Sequence, residues 1–229
     1  MTQRIDLHSH TFLSDGALLP SEHLRRFAAL DHAAVAITDH ADASNLDELI
    51  EQLRRLLRSQ ADDWPLTVLV GVELTHVAPG SIDKLARRAR HLGADLVVVH
   101  GETIVEPVAP GTNRAAVESP DVDLLAHPGL LSEEDAALAA ARECYVELTT
   151  RKGHSLTNGH VAAMCRRVGA AMVVNTDAHG PGDMVSMAFA RTVALGAGLS
   201  AEEAEAALVE HPQRLVQRLL MARHGMQNA

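Results

Sequence analysis

The chain has 229 residues, 47% of them hydrophobic but only 2% aromatic, so a full core must be built from Val, Leu, Ile and Ala. Its formal net charge of −10 argues against long DNA or RNA as a partner, because binding to those backbones rests on Lys and Arg. No run approaches the roughly 18–20 apolar residues that a membrane helix needs, and the start, MTQRIDLHSH, lacks an apolar signal region. A small phosphate compound is still admissible, since bound cations can invert the field inside a site. Cys144 and Cys165 form neither a disulfide framework nor a C-x-x-C pair, and fit reduced residues of a cytoplasmic protein.

Short apolar runs alternate with amphipathic ones. RIDLHSH (4–10) predicts a strand, and Pro20-Ser21-Glu22 opens a helix near 21–31. AVAITDH (34–40) is the next strand. Ser44 then opens a helix over 45–60, with Leu46, Leu49, Ile50, Leu53, Leu56 and Leu57 on one face. A strand at 66–75 precedes a helix at 82–92, led by Ser81 and stopped by Gly93. A strand at 95–102 runs into the segment 101–119, which is long for a strand-to-helix loop and is expected to fold over a site as a lid. Strands at 123–128, 145–150 and 171–179 follow. Between them lie a helix at 133–142, with an acidic first turn after Ser132, and one at 159–168, ended by Gly169. Two or three helices fill 183–223.

These seven strand-then-helix units run without a linker, so residues 1–229 are read as one domain with a helical C-terminal part, 183–229, packed on it. Strands alternating with helices imply right-handed crossovers and a parallel sheet. The number of units favours an α/β barrel closed on itself, and a doubly wound open sheet is the alternative. Where such an open sheet usually carries a Gly-rich loop after its first strand, this chain has His-x-His.

The polar residues that interrupt the strands fall at their C-terminal ends: His8 and His10, His40, Glu73, His100, His127, then Asp177 and His179. In barrels and open α/β sheets that end is where ligands bind. Residues two apart in a strand share a face, about 7 Å apart, so His8 and His10 project together, and so do Asp177 and His179, with Asn175 on their face. Singly, His40 and His127 read as capped core histidines and Asp39 as a loop brace. Glu73 is different: it follows VLVGV in a buried strand, and must be paired, protonated or bound to a cation. Histidine with carboxylate and no cysteine suits Zn²⁺, Mn²⁺ or Fe²⁺, and so many donors suggest two or three ions.

In order, DLHSHTFLSDG (6–16), ITDH (37–40), GVE (71–73), VVVHGE, LAHP and NTDAH (175–179) resemble the PHP (polymerase and histidinol phosphatase) family. The resemblance runs from about residue 4 to 180. It implies a distorted (β/α)7 barrel and a trinuclear metal site. One ion would be held by His8, His10, Glu73 and Asp177. A second would share Glu73 and add His100 and His127. A third would be held by Asp15, His40 and His179; many members carry His at the place of Asp15. The implied activity is hydrolysis of a small phosphate monoester such as histidinol phosphate, with water activated between ions. Glu73, Asp177 and His179 are the candidate catalytic residues, and either Asp177 or His179 would relay the proton. Phosphate also calls for basic groups, for which Arg114, Arg151 and Lys152 are candidates. His76 and His154 are placed near the rim, outside the ligand set. His23, His32, His91, His160, His211 and His224 are placed on helices. A nucleotide phosphatase or nuclease of the same family, and a non-catalytic metal-binding protein, are the competing functions. Oligomeric state is not legible.

Overall fold

In a computed structural model, which describes residues 3–60 and 64–227, the strands form one parallel sheet. They are β1 (Arg4–Asp6), β2 (His32–Ile37), β3 (His40–Ala41), β4 (Thr67–Leu74), β5 (Leu96–His100), β6 (Leu124–Ala126), β7 (Tyr145–Thr149) and β8 (Met172–Asn175). The order is β1-β2-β4-β5-β6-β7-β8, with the short β3 also on β4. A bridge between Ser9 and Ala178 brings the first segment to the last, backed by His10 N–H to the Ala178 carbonyl at 2.8 Å. The sheet therefore nearly closes into a seven-strand barrel.

Helices α1 (Pro20–Ala29), α2 (Leu46–Gln60), α3 (Ile82–Leu92), α4 (Thr112–Glu118), α5 (Glu133–Arg142) and α6 (Asn158–Val168) make the crossovers. The predicted bounds of α3, α5 and α6 hold to within a residue, because their stops are chemical. Gly93 takes the left-handed cap at φ 92, and Ser132 accepts the Asp135 N–H.

Strand alternation sorts the barrel into two layers. Val68, Val70 and Val72 face the helices; Leu69 and Glu73 face inward. The same parity sets Leu96 and Val98 below His100, Tyr145 below Glu147, and Val173 below Asn175. The interior thus has an apolar floor and a polar top. Beyond β8, α7 (Met187–Gly196) and α8 (Ala201–Glu205) lead through a π-helical turn into α9 (His211–Gln227). Leu215, Val216 and Leu219 of α9 join the apolar floor, and Arg218 and Arg223 pair with Asp123 and Asp95. Each such buried apolar side chain contributes about 1.5–3 kcal/mol relative to exposure. The helix plugs the N-terminal mouth and leaves the C-terminal mouth for chemistry. No helix among the described residues is long and apolar enough to cross a membrane.

Three local expectations are corrected. The 34–40 strand is two pieces, because Thr38 and Asp39 turn to the segment after β1: Thr38 bonds Ser9, and Asp39 accepts from Thr11. His32 starts β2 rather than lying on a helix, buried against Phe27 with ring centroids 4.8 Å apart. The last strand stops at Asn175, and Asp177 is left-handed at φ 51, so Asp177 and His179 are not presented by strand alternation.

Candidate metal centre

The residues after each strand converge in one pocket. His8 and His10 follow β1, with the Asp177 N–H donating to the His8 carbonyl at 2.9 Å. His8 Nε2 lies 3.3 Å from Glu73 Oε1 and 3.7 Å from Asp177 Oδ1; His10 Nε2 lies 3.1 Å from the same Asp177 oxygen. His127 Nε2 is 3.5 Å from Glu73 Oε1, and His40 Nδ1 is 2.7 Å from Glu73 Oε2. His40 and His179 both turn Nε2 toward Asp15 Oδ1, at 3.5 and 3.2 Å. Donor sets among them include His8–His10–Asp177; Glu73–His100–His127; and His10–Asp15–His40–His179, each with its donor atoms within 4.8 Å of one another.

The donors fit divalent cations. His8 Nε2, His10 Nε2 and Glu73 Oε1 are buried without a hydrogen-bond partner, a costly arrangement for polar atoms inside a protein. Bonds of ~2.1 Å to a shared ion place neighbouring donors roughly 3–3.5 Å apart, close to the observed spacings. His179 Nδ1 donates to the Asp177 carbonyl at 3.0 Å, which leaves Nε2 as the nitrogen turned toward the Asp15 carboxylate.

The charges are strongly coupled. Burial alone would suppress charge on His8, but Glu147, Glu73 and Asp177 outweigh it and raise its pKa well above the ordinary range. Burial opposes charge on His40 as well, yet Glu73 and Asp15 hold it up at about 10. Burial pushes His10 down to about 3. Glu73 stays well below the usual carboxylate range against the cost of burial, because His8, His40 and His100 surround it. Asp177 is likewise depressed, by His8 and His10.

Outer groups brace these side chains. The Leu7 N–H donates to Asn175 Oδ1 at 2.9 Å, and Asn175 Nδ2 donates to Glu147 Oε2 at 3.0 Å. That oxygen lies 2.7 Å from His8 Nδ1. Asp39 accepts from the Thr11 N–H, the Thr11 hydroxyl and the Ser14 hydroxyl, and so sets the turn that carries Asp15. Asp183 accepts from the His179 and Gly180 N–H groups, both at 3.0 Å.

Of the basic candidates, Arg151 reaches the pocket, with Nε 3.9 Å from Asp177 Oδ2 and Nη1 3.1 Å from Asp183. Lys152 lines an adjoining cavity of about 550 Å³ with Arg151, Met184, Val185 and Phe189. Arg114 is tied instead to Asp135 of α5, at 2.5 Å. His154 is buried, its ring stacked on His127 at 4.3 Å, and His23 is buried with Nε2 2.8 Å from the Ser9 hydroxyl. Sequence reasoning missed Glu147, Asp183 and Glu106. Glu147 carries the signal that singled out Glu73, a Glu inside an apolar strand. Asp183 and Glu106 sit in loops whose course no periodicity reveals.

A family model described as PHP domain matches residues 6–155. An uncharacterized protein of Methanocaldococcus jannaschii is 49% identical over 94% of this chain and 100% of its own length. Ribonuclease P protein component 3 of Methanosarcina barkeri is 26% identical over 82% of this chain and 79% of its own. A probable phosphatase of Acetivibrio thermocellus is 26% identical over 76% of this chain and 79% of its own. Among solved structures, a chain in archaeal ribonuclease P with mature tRNA shares the fold at TM-score 0.69 and 18% identity, covering 99% of this chain and 94% of that one.

Proposed function

The chain belongs to the PHP domain family, and from that membership we propose that it is a metal-dependent phosphoesterase acting on a small phosphate monoester. The observation that carries this reading is the convergence of buried imidazoles and carboxylates from separate strand ends on one mouth of the barrel. The probable-phosphatase relative supports it. His8, His10, Glu73 and Asp177 would hold one ion, Glu73, His100 and His127 a second, and Asp15, His40 and His179 a third. Divalent ions bound there supply an acidified water and positive charge for the phosphoryl oxygens. Glu73 presents one oxygen to each side of the cluster. Either Asp177 or His179 would relay the proton to the leaving alcohol. Arg151 adds a fixed cation beside Asp177, and the cavity beyond it, with Lys152, has the size of a small-metabolite site.

Turnover of p-nitrophenyl phosphate with added Mn²⁺ or Zn²⁺ tests the activity. A panel of histidinol phosphate, AMP, cyclic and bis-phosphorylated nucleotides and short oligonucleotides then sorts the substrates. No turnover of any phosphate ester by metal-loaded protein would defeat the proposal. Arg151→Ala is expected to raise KM more than it lowers kcat while leaving metal content alone; an unchanged KM would move the phosphate clamp elsewhere.

The ribonuclease P relative favours a second reading, an RNA-associated role. The net charge of −10 weighs against direct grip on an RNA backbone. A gel-shift titration with structured RNA decides it: salt-sensitive binding would support this reading over the first.

A further inference from the structure

Another group of donors, beyond the sets above, stands at the rim of the same mouth. His76 follows β4, His100 ends β5, and Glu106 lies on the segment 101–111 that crosses toward α4. Glu106 Oε2 is 3.1 Å from His76 Nε2 and 3.1 Å from His100 Nε2. Its other oxygen is 3.4 Å from His154 Nε2. His100 Nδ1 donates to the Gly101 carbonyl at 3.1 Å, which leaves Nε2 as the nitrogen turned toward Glu106. A proton on Nε2 closes that contact, and a divalent cation can take the proton's place between the same donors. His76 adds a backbone observation: its φ of 52 is uncommon outside glycine, and such conformations gather at ligand clamps.

We infer that His76, His100 and Glu106 form an outer position for a divalent cation of the Zn²⁺ or Mn²⁺ class. Nitrogen and oxygen donors without sulfur suit those ions, and donors 3.1 Å apart suit bonds of ~2.1 Å. The inference rests on the proposed inner cluster only through His100, which both share. One lone pair serves one ion at a time, so the outer position exchanges with the set Glu73–His100–His127. His76 is exposed and Glu106 partly exposed, while Glu73, His100 and His127 are buried. A cation bound for that set therefore meets the outer donors first, and His100 hands it inward.

His127→Ala removes an inner donor and leaves the outer three in place. Metal-free His127→Ala and His127→Ala/His76→Ala proteins are dialysed against ZnCl₂, and bound zinc is counted by mass spectrometry. The single variant should hold one equivalent more than the double; equal content overturns the outer position and leaves Glu106 in a proton-closed ion pair. His127 is buried, so a second measurement uses the otherwise intact chain. His76→Ala and Glu106→Gln, at an exposed and a partly exposed position, should take up Zn²⁺ several-fold more slowly than the wild type in stopped-flow chelator competition. Equal rates overturn the handover. Wild-type protein that binds no Zn²⁺ at all is a separate result, which defeats the inner cluster as well.

Discussion

Glu147 shows what one residue does for the pocket. Its carboxylate accepts from His8 Nδ1 and fixes the ring orientation, and so turns Nε2, the nitrogen that would bind an ion, toward Glu73 and Asp177. Carboxylate partners of this kind tune affinity rather than bind the ion. Glu147→Gln, which keeps the shape and removes the charge, is expected to weaken Zn²⁺ affinity about 10–100-fold without loss of folded structure. Chelator competition reads the first and circular dichroism the second; wild-type affinity would contradict the bracing role. At this scale the sequence was informative wherever a polar residue broke an apolar strand, as at Glu73 and His100. It was silent on Glu106 and Asp183, whose placement depends on how long loops return to the mouth.

At the scale of elements, the loops after β5 and β6 lie against each other. Gly129 sits at φ 62, and a β-carbon there would stand 1.9 Å from the Glu102 carbonyl oxygen. Gly129→Ala should therefore push the 101–103 backbone outward and cost about 1–3 kcal/mol. Urea unfolding checks this, and an unchanged midpoint would show that the two loops are not locked together. Helix ends were legible because Gly93, Ser132 and Gly169 act locally. Strand ends were less so. The predicted strands 4–10 and 171–179 run past the regular pairing, because the ladder gives way to a single Ser9–Ala178 bridge and a left-handed Asp177.

For the whole molecule, the sheet order and barrel closure followed from seven repeated strand–helix units, and the plug formed by α9 did not. Its apolar stripe faces a floor that only the closed barrel creates. The burial of neutral histidines is also a property of the whole fold. Burial is the main cause that pushes His32 down to about 4. The unfolded chain binds this proton from about pH 6.5 downward, whereas the folded chain does not until about pH 4. The stabilisation is thus present above pH 6.5 and is lost as pH falls toward 4, on the order of 3 kcal/mol. His32→Gln should flatten this acid loss in guanidinium unfolding at stepped pH. Parallel profiles for wild type and variant would contradict it.

The central claim is that Glu73 joins imidazoles from several strand ends around divalent cations. Metal content per chain, by mass spectrometry on folded wild-type and Glu73→Ala proteins loaded side by side, tests it most directly. Two or three equivalents in the wild type, falling by at least one in the variant, is the result the structure predicts. Equal content in the two proteins, or a wild type without metal, would contradict it.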